Sequence, residues 1–201
     1  RVLTARQDAV IGTHKVLRNT YALLSMTLLF SALMAGVGMA IGVPRGMSMV
    51  ASLGAIALIW FVLPRTENSS AGLAVVFGIT GLMGLGLGPM LSHYLAIPGG
   101  GQLVATALGG TGVVFLGLSA YALTTKRDFS FMGGFLFVGM MVALVAVIAN
   151  LFLEIPALSL AISAVIVLLM SGMILFDTSR IINGGETNYI RATVSLYLDI
   201  Y

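Results

Sequence analysis

The run FMGGFLFVGMMVALVAVIANLFL, residues Phe131–Leu153, carries no charge over its whole length. As an α-helix it reaches about 34 Å, enough to cross a hydrocarbon core of about 30 Å. Five more runs of the same kind surround it: Asn19–Val43, Gly46–Leu63, Ala71–Leu91, Leu103–Thr124 and Ala157–Ile182. The segments between them are rich in turn formers: Pro44-Arg45-Gly46, Pro64 to Asn68, Pro98 to Gly101, Lys126-Arg127-Asp128, Glu154-Ile155-Pro156 and Asn183-Gly184-Gly185. A seventh run begins near Thr187 and stops at Tyr201, too short to span. It reads as an incomplete helix, and the missing initial Met suggests trimming at the front as well. The expectation is an all-α integral membrane protein, a seven-transmembrane-helix bundle whose seventh helix is truncated at Tyr201. Residues 1–18 read as a cytoplasmic N-terminal tail and residues 19–201 as a single transmembrane domain.

Composition agrees. Hydrophobic residues make up 59% of the 201 and charged residues 8%, against roughly 45–50% and 25% in soluble domains. The chain has no cysteine, which excludes a disulfide scaffold, a cysteine zinc site and a thiol enzyme. Its net charge of +3 is not gathered into the basic face that nucleic-acid binding needs. The first run is too long for the apolar region of a signal peptide and reads as a retained helix.

With the N-terminus in the cytoplasm, Arg1, Arg6, Lys15, Arg18, Arg65, Lys126, Arg127, Arg180 and Arg191 fall on the cytoplasmic side, and Arg45 on the other. That asymmetry obeys the positive-inside rule and puts the end of a full seventh span outside. Glycines concentrate within the spans, as at Gly38 and Gly42, Gly84, Gly86 and Gly88, and Gly109, Gly110, Gly112 and Gly117. Small residues let helices approach closely in lipid. Gly84-Leu-Gly-Leu-Gly88 mimics a nucleotide loop but lies inside a span, so helix packing is its reading. The scattered methionines read as core filler.

Ionisable residues inside spans are costly and need a reason. Asp199 lies about 18 Å into the seventh helix, near mid-membrane. Asn188, Ser195 and Asp199 repeat at helical spacing and predict one polar stripe facing the bundle interior. Asp177 lies about 8 Å above the cytoplasmic end of the sixth helix. Its simplest role is an ion pair with Arg180, three residues on. Reflecting the hairpin about Gly185 leaves the two aspartates about 9 Å out of step, a gap that closes if the seventh helix starts deeper in the cytoplasm. If they meet, mutual repulsion makes them hold one proton between them. His14 and His93 sit at opposite ends and form no ligand pair. Gly117-Leu118-Ser119 suggests a membrane serine protease, but the only candidate base, His93, is across the membrane.

The segments Phe176-Asp177-Thr178, Gly185-Glu186-Thr187-Asn188-Tyr189-Ile190 and Leu196-Tyr197-Leu198-Asp199 resemble the signature of the Bax-inhibitor-1 (TMBIM) family. Thr13 to Tyr21, Gly88-Pro89 with Ser92-His93-Tyr94, and Asp128-Phe129-Ser130-Phe131 extend the resemblance toward the bacterial YccA branch. The resemblance implies a central seventh helix and a pH-dependent calcium leak gated by a proton shared between Asp177 and Asp199, which would bind calcium only transiently. It also implies that Arg65, at the end of the second helix, latches the pair. Gly54 stands where the family carries an acidic residue in that helix. Members of the branch are associated with the FtsH membrane protease as modulators or substrates.

Three functions stay open at this point. The first is a proton-gated cation leak. The second is a non-channel regulator or substrate of FtsH in the bacterial inner membrane, contacting it through Arg1–Arg18. The third is an intramembrane aspartyl protease, which lacks the expected Gly-x-Gly-Asp surround at Asp199. No enzyme activity and no cofactor beyond transient calcium are expected, and the partners are membrane lipid and FtsH. Asp177, Asp199 and Arg65 are the expected gating residues, supported by Asn188, Ser195 and Arg180.

Overall fold

Each apolar run becomes a helix in the computed structural model, which describes the backbone of residues 2–201 and the side chains of residues 12–201. In chain order these are α1 (Val2–Ala40), α2 (Arg45–Thr66), α3 (Ala71–Leu95), α4 (Gly100–Thr125), α5 (Met132–Leu153), α6 (Pro156–Ile182) and α7 (Tyr189–Ile200). The first six are long and apolar enough to cross a membrane. Large apolar side chains such as Leu29, Trp60, Phe135, Phe152 and Leu160 point outward. The backbone is satisfied within helices, the one open form suited to lipid.

Two boundaries differ from expectation. The first helix begins at Val2 and not near Asn19, running through the segment read as the N-terminal tail without a break. It has no Pro, and Leu3, Ala5, Arg6, Gln7 and Ala9 are good helix formers. Arg1 and the side chains of residues 2–11 lie outside the described residues. The second difference is at Pro64, which was expected to end α2 near Leu63. Instead α2 widens into a π turn over Leu58–Val62, in which the Leu63 N–H donates to the Leu58 carbonyl, and the helix runs on through Pro64 to Thr66. A proline has no N–H and its ring collides with the carbonyl four residues back, here that of Trp60. Widening the turn by one residue moves that carbonyl away.

The tightest packing joins α1 and α3, and glycine makes it possible. A Cβ on Gly84 would lie 2.3 Å from the Ser31 carbonyl oxygen, and one on Gly88 would lie 2.7 Å from the Gly38 carbonyl carbon. Gly86 points the other way, toward α2, where the Ser48 hydroxyl donates to its carbonyl. The Gly84–Gly88 motif is therefore a two-sided helix contact. The α4 glycines behave differently, since a Cβ on Gly109, Gly110, Gly112 or Gly117 would touch nothing within 4 Å.

Two apolar clusters fill the interior. Leu23, Ala55, Leu63, Val76, Ile79, Ile190 and Val194 join α1, α2, α3 and α7. Leu24, Phe115, Ile174, Ile181, Ala192, Leu196 and Tyr197 join α1, α4, α6 and α7. The short helix α7 contributes to both, packing on α1, α6 and α3, while α5 leans on α6.

Candidate functional site

The site forms where the last turns of α6 meet α7. Asp177, on α6, is buried at 7% exposure, and its carboxyl group faces that of Asp199, on the last turn of α7, at interaction range. Asp199 Oδ2 is buried and has no hydrogen-bond partner. Arg180 stands one turn from Asp177, with Nη1 3.9 Å from Asp177 Oδ1 and Nη2 3.9 Å from Glu186 Oε2. Its guanidinium also lies 5.6 Å from the centre of the Phe176 ring, a cation–π distance. Asp177, Arg180, Ile181, Glu186, Ala192 and Ser195 line a narrow crevice between the two helices.

The aspartates meet because α7 starts late. Gly184 takes a left-handed turn with φ of 75°, and the Gly185 and Glu186 N–H groups both donate to the Arg180 carbonyl, closing α6. The chain then continues without helix to Asn188. With Asp177 five residues before the end of α6 and Asp199 ten after the start of α7, side-by-side aspartates put Tyr189 about 8 Å beyond the last turn of α6. That offset absorbs most of the mismatch expected from a simple reflection.

Asn188 secures this start. Its Oδ1 accepts from the Ile190 and Arg191 N–H groups at 2.9 and 3.3 Å, capping α7. Its Nδ2 donates to the Glu67 carbonyl at 2.9 Å and to Asn68 Oδ1 at 3.0 Å. Arg191 pairs with the Glu67 carboxylate. The end of α2 thus holds the start of α7. Asn188 was expected on an interior polar stripe and is instead a cap and a strap. Ser195 does face the crevice.

Arg65 is not brought to the aspartates. It is exposed, and Nη1 donates to the Phe61 carbonyl of its own helix at 2.5 Å. The continuation of α2 through Pro64 explains this, since Arg65 stays on a helical turn and bonds one turn back. The cation beside Asp177 is Arg180. Sequence reasoning passed over Glu186 and Ser179. Glu186 completes the Arg180 cluster, and the only signal for it was an acid in the hairpin within reach of that arginine. Ser179 Oγ accepts from the Phe129 N–H at 2.9 Å and donates to the Arg127 carbonyl at 3.1 Å, fastening the α4–α5 loop to α6.

These contacts gather the ends of α2, α4, α6 and the start of α7, with their basic residues, at one end of the bundle. Arg45 and His93 share a cavity at the other. Deeper in the core, the Ser31 and Tyr197 hydroxyls share a 2.6 Å bond. Among the described residues no three His, Cys, Asp or Glu side chains converge on one point. Ser119, considered as a nucleophile, is buried with an unpartnered hydroxyl.

Residues 13–201 match the family model described as "Inhibitor of apoptosis-promoting Bax1". The chain is 49% identical over 203 residues to the "Modulator of FtsH protease YccA" of Escherichia coli strain K12, covering 100% of this chain and 92% of that protein. It is 53% identical over 197 residues to an "Uncharacterized membrane protein" of Vibrio cholerae, covering 98% of this chain and 88% of that protein. A third relative, 49% identical, is the "Inner membrane protein YccA" of Escherichia coli O6:H1. A match over nearly the whole length, in a helical membrane protein whose signature residues surround one crevice, means that the chain belongs to the Bax-inhibitor-1 family, in its YccA branch.

Proposed function

We propose that this protein is a pH-sensitive cation leak in which Asp177 and Asp199 share a proton, with calcium as the cargo. The observation that carries the reading is the facing of two buried carboxyl groups, one with an oxygen that bonds to nothing. Two bare carboxylates about 4 Å apart repel by about 4 kcal/mol at an effective dielectric constant of 20. One proton between them removes that repulsion, and the pair titrates as a unit. Loss of the proton drives α6 and α7 apart and admits a cation. Calcium takes six to eight oxygens and the two carboxylates offer at most four, so the ion is passed and not stored. Arg180 supplies the balancing charge in the closed state, the role expected of Arg65. An ion entering the crevice displaces Arg180 from Asp177 and Glu186.

A second reading is that the protein modulates the FtsH protease, supported by the name of its Escherichia coli relative. Residues 1–18 would then carry the contact. Under both readings the protein is not an enzyme and lies in the bacterial inner membrane, its N-terminus cytoplasmic and the end of α7 directed to the periplasm. Cysteines placed at Asn68 and Lys126 should be protected from an impermeant label in intact cells, and one at Pro98 should react.

The deciding experiment is calcium flux in proteoliposomes across pH. The wild type should show a pH-dependent leak, and Asp177→Asn and Asp199→Asn should each abolish the dependence, with the double variant no worse. Wild-type profiles in both single variants remove the shared-proton mechanism. Co-purification of FtsH that survives in those variants and is lost on deleting residues 1–12 then supports the modulator reading.

A further inference from the structure

We propose that the groove between α1 and α4 at the basic end of the bundle binds the headgroup of an anionic glycerophospholipid from the adjoining leaflet. It is lined by His14, Lys15, Leu17, Arg18, Tyr21 and Leu123 and encloses about 690 Å³, within the range of about 300–1,000 Å³ typical of small-molecule sites. His14, Arg18 and Tyr21 follow one another at four- and three-residue spacing, so they form a single stripe along α1. The chemistry changes along that stripe. His14, Lys15 and Arg18 are exposed, and among the described residues no lining residue is acidic. Tyr21 lies about 4.5 Å further into the bundle than Arg18. Its hydroxyl is buried and has no hydrogen-bond partner.

On the facing helix, Ser119 is one turn deeper than Leu123 on the same side, and its hydroxyl is also buried and unpartnered. Buried hydroxyls without partners cost free energy, so each calls for an explanation. Tyr21 borders the groove, and a small turn of its phenol would bring the hydroxyl to a ligand oxygen. Beyond Leu123 the same face of α4 continues to Leu116, which is 66% exposed, and the Tyr21 ring lies 6.0 Å from that of Phe115. The groove therefore grades from cationic, through hydroxyl, to apolar over about two helical turns. A phospholipid has the same order: phosphate, glycerol ester, acyl chain. Lys15 and Arg18 would bind the phosphate by charge-assisted hydrogen bonds. Tyr21 would donate to an ester or phosphate oxygen, and Leu17, Leu123 and Leu116 would flank the chains. A free anion would leave the apolar part of the groove unused. The inference is independent of the aspartate pair.

Native mass spectrometry of the full chain tests it, with equimolar phosphatidylglycerol and phosphatidylcholine of matched acyl chains. Phosphatidylglycerol should be retained preferentially. The double variant K15Q/R18Q should lose about 25-fold of that preference with phosphatidylcholine binding unchanged, since each cation near the membrane surface contributes about fivefold. Tyr21→Phe keeps the ring in place and should weaken retention without removing it. Lys15 and Arg18 are exposed, and a melting curve for each variant confirms folding. Equal retention of the two lipids, or wild-type retention in folded K15Q/R18Q, overturns the proposal. Displacement of phosphatidylglycerol by inorganic phosphate at the same concentration also overturns it, because the groove then serves a free anion.

Discussion

Ser31 and Tyr197 share a buried 2.6 Å hydrogen bond between positions 166 residues apart, tying the middle of α1 to the far end of α7. The Tyr197 hydroxyl also lies 3.5 Å from the Thr80 carbonyl of α3. One phenol thus connects three helices.

Tyr197→Phe should lower the thermal stability of the purified protein, because it strands the Ser31 hydroxyl in the core at a cost of about 1–3 kcal/mol. Ser31→Ala should do the same. The double variant should cost less than the sum of the two, since it removes both partners. Additive losses in melting curves would show that the two hydroxyls do not act as a pair.

Asn188→Ala should destabilise by about 1–2 kcal/mol through loss of the α7 cap alone. Loss of the bonds to Glu67 and Asn68 adds to this. Asn188→Asp keeps an oxygen for the cap and loses the amide donor, so it should fall between the wild type and the alanine variant. Hydrogen exchange at the Ile190 and Arg191 amides separates the two effects. Fast exchange in the alanine variant only is the expected pattern.

Glycine substitutions should divide by helix. Gly84→Ala drives a methyl group into the Ser31 carbonyl, backbone that cannot step aside, and should cost about 3 kcal/mol or prevent folding. Gly110→Ala meets nothing within 4 Å and should be neutral or stabilising by up to about 1 kcal/mol. Equal effects at the two sites in a denaturation series would contradict the packing described for α1 and α3.

The loop ahead of α5 should loosen in acid. The Ser130 hydroxyl, and then its backbone N–H at 2.9 Å, favour the ionised Asp128 and hold its pKa below the ordinary carboxylate value. A depressed folded-state pKa contributes stability that is present above about pH 4 and lost as pH falls through the lower value. Exchange of the Ser130 amide should therefore speed up at low pH in the wild type, and Asp128→Asn should remove that dependence.

The six long helices were legible because long apolar runs and turn formers speak for themselves at the scale of a bilayer. Both aspartates were legible too, since a carboxylate in an apolar run has few excuses. What could not be read was set by three-dimensional offsets. The level at which α7 begins depends on bonds from Asn188 to Glu67 and Asn68, just past α2 and more than 100 positions away, and no local pattern encodes it. The role of Arg65 came from the family resemblance, which says nothing of how the turn before Pro64 widens and keeps Arg65 bonded to its own helix. Gly109, Gly110, Gly112 and Gly117 of α4 looked identical in sequence to Gly84 and Gly88 of α3, yet only the latter pair has backbone lying against it.

That widened turn at Leu58–Val62 has a rotational effect. A π turn takes one residue more than an α turn to come round to the same direction, so everything beyond it sits about 100° behind where an unbroken α-helix of the same sequence would place it. Glu67 and Asn68 lie directly beyond it, and they are the residues that grip Asn188 and Arg191. Closing Leu58–Val62 into a regular α turn with no residue removed would leave α2 long enough yet turn that grip away from α7. The azimuth of the second helix, and not its reach, aligns the helix that carries Asp199.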